Sequence, residues 1–318
     1  MKELKFLKER QKDIFYSGYY KIHSDEIVKP EIKAVPFENS EYYYYPDVDY
    51  CGDDRALWQP SIHLVRLHRQ LALAGKEKLH NEDFFRISAI KTLNFWLEKD
   101  FKNPGWWYNQ IGIPKLLADI AIALEDYLTE EAKETLKKII SRGIVNPCGE
   151  LCIIDGIDGY SHKKKESDFT GANLIWRAAI TIKYALLFED EAILRIALEK
   201  IASEMCYSYE GVQKDGAFCQ HGRLWYSGGY GRSFVYELAP ILNIVGGTRF
   251  AFSSERLEPL FCHILCGQRL MMKNGYFDFG SVGREYVRED AISFGELKDS
   301  INLICADMAD FANISKEL

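Results

Sequence analysis

The chain has 318 residues, of which 47% are hydrophobic and 14% aromatic, and its formal net charge is −7. A chain of that size buries a sizeable core in one large domain or two small ones. The negative balance excludes a general long-range attraction for nucleic acid or anionic membranes. No run of about 18 apolar residues is available to span a bilayer, and the N-terminus MKELKFLKERQKDIF lacks the apolar core of a secretory signal.

In chain order, helical periodicity predicts helices over 2–16, 56–74 and 82–99. A further helix opens at Pro114, whose fixed φ suits a first turn, and sets Ile113, Leu116, Leu117, Ile120 and Leu124 on one face. Others follow over 130–143, 171–188, 190–205, 231–245, 254–273 and 293–312, while strand-like alternation is nearly absent. The expected class is all-α in a single domain. Links as short as Leu128 to Glu130 and Glu189 to Asp190 imply antiparallel neighbours, and such hairpins in succession close into a toroid or solenoid. No fixed repeat is visible, which favours an incomplete α/α toroid of dissimilar hairpins.

Two long connectors interrupt the helices. The first, 21–54, carries Tyr42 to Tyr45, read either as a carbohydrate-stacking surface or as aromatic packing across helix ends. The second, 144–169, carries Lys163 to Lys165, read as a solvated face. Cysteines 51, 148, 152, 206, 219, 262, 266 and 305 form no compact framework and read as buried, reduced thiols. A Cys148–Cys152 disulfide or a metal site is the alternative, but Cys148, Cys152 and His162 lack the second close pair that would complete a zinc site.

The densest chemistry lies in Asp215 to Phe234, DGAFCQHGRLWYSGGYGRSF, which places a histidine, tyrosines, arginines and five glycines in one short segment. So many glycines predict an exposed loop that opens a helix near Gly231. Three other segments suit the same chemistry: NPGWWYNQIGIP at 103–114, TGAN at 170–173 and GREYVR at 283–288. Trp106 and Trp107, in a loop before a helix start, offer planes that stack on sugar rings, with core tryptophans as the plainer reading. Asn173 reads as a first-turn capping residue or as an amide that holds a substrate carboxylate. Arg284 and Arg288, four residues apart, flank an anion or pair with neighbouring glutamates.

WWYNQIGIP, TGAN, QHGRLWYSGGYG and GREYVR, in that order, resemble the helical toroid domain of polysaccharide lyase family eight, which acts on hyaluronan, chondroitin and xanthan. DVDYCGDDRALWQPSIHLVRL resembles the same domain's opening helices, so the likeness runs from roughly 40 to 290. It implies an acidic polysaccharide substrate cleaved by β-elimination, with no metal or organic cofactor. Asn173 would neutralise the uronate carboxylate, and His221 and Tyr230, nine residues apart, would form the base and acid pair. Arg284 would support the tyrosine and Arg288 would position the sugar. Trp106, Trp107, Asn109 and Tyr226 would bind substrate, Tyr226 being the weaker candidate for the catalytic tyrosine.

The chemistry asks for these types. Removing the C5 proton of a uronate opposes the charge of its carboxylate, so amide and guanidinium donors stabilise the developing aci-carboxylate. A phenol, ordinarily near pKa 10, needs a nearby cation to act as a base. The chain departs from the family at Leu174, where arginine usually follows GAN, and at Ala217, where serine is common. It also stops at Leu318, where the family continues into β-sandwich domains that supply a glutamate, so a missing β domain or a second chain is implied. The resemblance further implies a secreted or cell-surface protein. Two other classes stay open: an inactive, lyase-like carbohydrate-binding protein, and a toroid glycoside hydrolase for which Asp215 is one of the two acids required.

Overall fold

The computed structural model describes residues 2–20, 32–145, 169–287 and 292–307. Among the described residues there are ten α-helices and seven strands of two or three residues, so the class is all-α. The strands depart from the sequence expectation because pairs this short cannot show a period-two pattern. No described helix is long and apolar enough to cross a membrane. The fold gathers into two compact units, Met1–Glu166 with Lys183–Asp190, and Ser167–Ile182 with Glu191–Leu318.

The first unit opens with α1 (Lys2–Tyr16), whose buried Leu4, Leu7, Ile14 and Phe15 follow a helical stripe. A two-residue hairpin, β1 (Val35–Pro36) on β2 (Tyr43–Tyr44), leads into α2 (Ser61–Asn81) and α3 (Asp83–Lys99). Within α2, Gly75 leaves helical geometry at φ 72°, next to the predicted end at 74, and the chain resumes helix beyond it. The tyrosine run is aromatic packing. Tyr45 is fully buried, its hydroxyl donating to Gln70 Oε1 at 2.8 Å, and the Tyr44 ring meets Phe37 and Phe95.

A π-helical turn, Tyr108–Gly112, runs into α4 (Ile113–Leu124), which is buried along nearly its whole length except Lys115. Thr129 then caps α5 (Glu130–Ile140) by accepting the Ala132 N–H at 3.2 Å. Inside this unit Asp119, 2% exposed, receives Lys183 Nζ at 2.8 Å, Gln11 Nε2 at 3.2 Å and, at 3.4 Å, the His68 imidazole. A carboxylate at such depth persists because every lone pair faces a donor.

The second unit begins with α6 (Gly171–Leu187, its residues from Lys183 counted in the first unit) and α7 (Glu191–Glu204). Next comes a meander in which β3 (Gly211–Val212), β4 (Phe218–Gln220) and β5 (Leu224–Trp225) pair antiparallel, with Gly211 opposite Cys219 and Cys219 opposite Trp225. Thus 215–234 is a hairpin running into a helix, not an exposed loop, and β4 is buried at all three positions. Helix α8 (Tyr230–Val245) starts one residue before Gly231 and packs along α10 (Gly295–Asp307), with Arg232 Nη1 donating to Ser293 O at 2.8 Å.

The helix predicted over 254–273 is broken. It is α9 (Ser254–Cys262), a π-helical turn His263–Gly267, a 3₁₀ turn Gln268–Met271 and then β6 (Met272–Lys273) on β7 (Tyr276–Phe277). The wider turn aims the fully buried His263 at the meander, where Nδ1 meets Gly216 O at 2.7 Å. Burial pushes the His263 pKa down to about 4, so the ring is neutral and Nδ1 donates. The described cysteines are free thiols, but only Cys219 is buried. Cys51 and Cys266 are exposed, and Cys206, Cys262 and Cys305 lie between. Cys148, Cys152, His162 and Lys163 to Lys165 fall outside the described residues.

Replacing Asp119 with alanine strands the buried Lys183 ammonium without its partner. Equilibrium denaturation should show a loss of about 3–5 kcal/mol for Asp119→Ala, and a change under about 1 kcal/mol would contradict the network's role.

Candidate active site

The second unit brings three of the predicted residues together. Tyr230 is the first residue of α8, and His221 lies in the turn between β4 and β5. His221 Nε2 stands 3.1 Å from Tyr230 Oη, with the rings edge to face at 5.1 Å between centroids. Arg284, in the 3₁₀ turn Gly283–Val287, donates from Nη2 to the same Tyr230 oxygen at 3.3 Å. Tyr230 is half-buried, whereas His221 and Arg284 are exposed, so the phenol oxygen faces an accessible surface.

Tyr226 explains how Arg284 reaches that oxygen. Its ring is 2% exposed and packs edge to face on Tyr230 at 4.9 Å, while its hydroxyl accepts the Arg284 backbone N–H at 2.9 Å. A methyl group on Gly229 or on Gly283 would come within 2.4 Å of this ring, and Gly283 in addition has φ +55°. Both positions therefore admit glycine alone without a shift of the ring. The expectation that Tyr226 touches substrate is corrected. Burial raises its pKa, and it is a wedge between chain segments.

Asn173 sits in the first turn of α6, 9% exposed, and its Oδ1 has no hydrogen-bond partner. Two contacts place it beside the cluster. One turn further on, the Trp176 ring meets Tyr230 at 6.0 Å. The Ala172 N–H donates to Gln220 Oε1 at 3.2 Å, so Asn173 and His221 each adjoin a residue of one hydrogen bond. The first turn of α6 is held by Glu204, which accepts the Gly171 N–H.

In the first unit, Trp106 and Trp107 open the turn that leads into the π-helical segment, Trp107 being 37% exposed and packed edge to face on Tyr108. At least one indole is thus accessible. Asn109 is a correction: it is 3% exposed, its amide donates to Asn103 O at 2.7 Å and to Gly105 O at 2.6 Å, and its oxygen accepts the Asn103 N–H at 3.0 Å. Its hydrogen-bonding capacity is spent on folding the loop. Arg288 lies outside the described residues.

The sequence reading missed Trp176 and the residues that hold the histidine turn, Glu210 and Gln220. Gln220 stood inside a noted motif, but nothing in the sequence marked Glu210. Asp215, the carboxyl considered for hydrolysis, is exposed and accepts the Ala217 N–H at 3.0 Å within its turn. A groove of about 840 Å³ is lined by Tyr207, Tyr209, Arg223, Trp225 and Met271 among others, and His221, Tyr230 and Arg284 do not line it.

Residues 22–318 match the description "Polysaccharide lyase family 8, N terminal alpha-helical domain". The chain is 25% identical over 280 residues to the chondroitinase-AC of Pedobacter heparinus, covering 84% of this chain and 36% of that protein. It is 25% identical over 206 residues to a xanthan lyase of a Bacillus species, covering 62% of this chain and 20% of that one. The chain thus spans a fifth to about a third of the length of these relatives. Among solved structures, an oligosaccharide-bound chondroitinase AC lyase superposes with a TM-score of 0.76 at 23% identity over 95% of this chain and 43% of the other. A Paenibacillus xanthan lyase gives 0.75 at 19% identity over 98% and 30%. These likenesses show the fold, the helical toroid class expected from the sequence.

Burial, reinforced by the nearby Glu210 carboxylate, pushes the Glu204 pKa up to about 7. The folded state therefore binds a proton that the unfolded state releases near the ordinary carboxylate range. The associated stability is complete below that range and lost as pH rises through about 7. Glu204→Gln keeps an oxygen for the Gly171 N–H and removes the charge. It should stabilise the protein by about 1–2 kcal/mol at pH 8, with partial exposure screening the rest, and leave stability unchanged at pH 4, as read by thermal unfolding at both pH values.

Proposed function

This chain belongs to polysaccharide lyase family 8, and we propose that it takes part in cleaving a uronate-containing polysaccharide of the chondroitin, hyaluronan or xanthan type by β-elimination. The observation that supports this most is one oxygen, Tyr230 Oη, within 3.1 Å of an imidazole nitrogen and 3.3 Å of a guanidinium nitrogen. A hydrolase reading needs two opposed carboxyl groups, and Asp215 is already engaged in its own turn.

Elimination breaks the C5–H and C4–O bonds of the uronate and forms the C4=C5 double bond. The Arg284 guanidinium favours the phenolate of Tyr230, which takes the C5 proton. The electron pair left at C5 expels the C4 oxygen, and that oxygen receives a proton from the Tyr230–His221 pair. In between, negative charge builds on the substrate carboxylate. Asn173, in the first turn of α6, would donate its side-chain N–H to it, with each well-placed donor contributing about 3 kcal/mol. Trp107 is accessible and offers a plane for a sugar ring. A β-sandwich domain or a second chain would supply further groups to the reacting residues.

Incubation with chondroitin, hyaluronan and xanthan, following ultraviolet absorbance of the unsaturated uronate, tests the reading. Tyr230→Phe is expected to lose turnover by more than about a hundredfold while sugar binding persists. Asn173→Ala should weaken both. Elimination at the wild-type rate by Tyr230→Phe would refute the assignment, and binding without any product would support the inactive, sugar-binding reading.

A further inference from the structure

We propose that Glu210 is a positioning residue that locks the turn carrying His221 to the start of the helix carrying Asn173. The inference rests on the reading of those two side chains as parts of one reacting site.

Glu210 stands in the connector between α7 and β3, outside every motif that marked the site. Both of its carboxylate oxygens are used. Oε1 accepts the N–H of Gly222, the residue directly after His221. Oε2 accepts from the Thr170 hydroxyl and, at 3.0 Å, from the side-chain amide of Gln220, the residue directly before His221. Gln220 completes the tie, since its Oε1 accepts the Ala172 N–H at 3.2 Å and its Nε2 also lies 3.3 Å from Thr170 O. One carboxylate thus grips the residues on either side of His221 and, at Thr170, the step into α6, while Gln220 reaches Ala172.

The turn needs such a grip. His221 has φ +56° and Gly222 φ +85°, both left-handed. For a residue with a Cβ that conformation is unfavourable, and it persists only where the surroundings impose it. Hydrogen bonds to a charged acceptor are about twice as strong as neutral ones, which suits a single carboxylate to the task. Without the tie, the His221 ring would be free to leave Tyr230 Oη.

Glu210→Gln tests the idea with little change in size. The glutamine still accepts from Gly222, but its NH₂ group meets the Gln220 amide donor head on. Thr170→Val removes one donor from the same carboxylate and is the milder change should the first variant fold poorly. We expect the His221 imidazole signals in ¹H–¹⁵N spectra to move in both variants, and to move less in the double variant than the sum of the two. On the polymer that the wild type cleaves, kcat should fall about a hundredfold in Glu210→Gln with KM within about threefold. His221 signals at wild-type positions in both single variants would overturn the proposal, as would an unchanged kcat per folded molecule. If the wild type yields no unsaturated product from any of the three polymers, the functional reading fails, while the His221 spectra still decide the role of Glu210.

Discussion

With Gly229 and Gly283 both close against its ring, Tyr226 fixes how the turn at 283–287 meets the start of α8. A buried aromatic ring carries a large hydrophobic contribution, and here its hydroxyl is also satisfied by a backbone donor. Packing and hydrogen bonding therefore select the same arrangement. Because the bonded N–H belongs to Arg284 itself, the guanidinium reaches Tyr230 Oη from a backbone tethered at that residue. A cation on a mobile loop would spend most of its time in water, where its influence on a phenol is weak.

The first unit uses charge differently. Asp119 and Lys183 are buried at 2% and 3% side-chain exposure, with Gln11 and His68 filling the remaining directions of the carboxylate. Replacing such a group by hydrophobic residues is often neutral, so its net worth lies less in stability than in penalising every packing that leaves one member unpaired. The same logic governs Asn109, whose amide closes the loop from Asn103 to Gly105 and so fixes the approach of Trp106 and Trp107 to their helix.

Periodicity made most helices legible, because an apolar stripe at 3.6 residues reports burial directly, and α1 and α5 follow it closely. It failed where a π-helical turn shifts the stripe, as at His263–Gly267, and where strands of two or three residues are too short to alternate. At the site, residue type was enough to single out His221, Tyr230 and Arg284, since acid/base and cationic side chains clustered among glycines are unusual in a core. Type alone does not report exposure. Asn109 and Tyr226 resemble sugar-binding residues in the sequence, yet the structure shows each consumed by its own fold. Glu210 left no trace, because a glutamate in a polar connector looks solvated until its acceptors are followed to their donors.

The start of α6 imposes a final electrostatic requirement. Glu204 and Glu210 both engage that region, through the Gly171 N–H and the Thr170 hydroxyl. Negative side chains suit a helix N-terminus, and by occupying its donors they reduce the attraction it offers to any further anion. On the proposed reading, a substrate carboxylate near Asn173 would therefore be met by its neutral amide rather than by the helix end. With Glu204 titrating near 7, part of the opposing charge is absent at neutral pH and returns in base. Recognition of the carboxylate would then rest on a few oriented donors, which favours a group that gains charge as its C5 proton leaves over one that merely carries it.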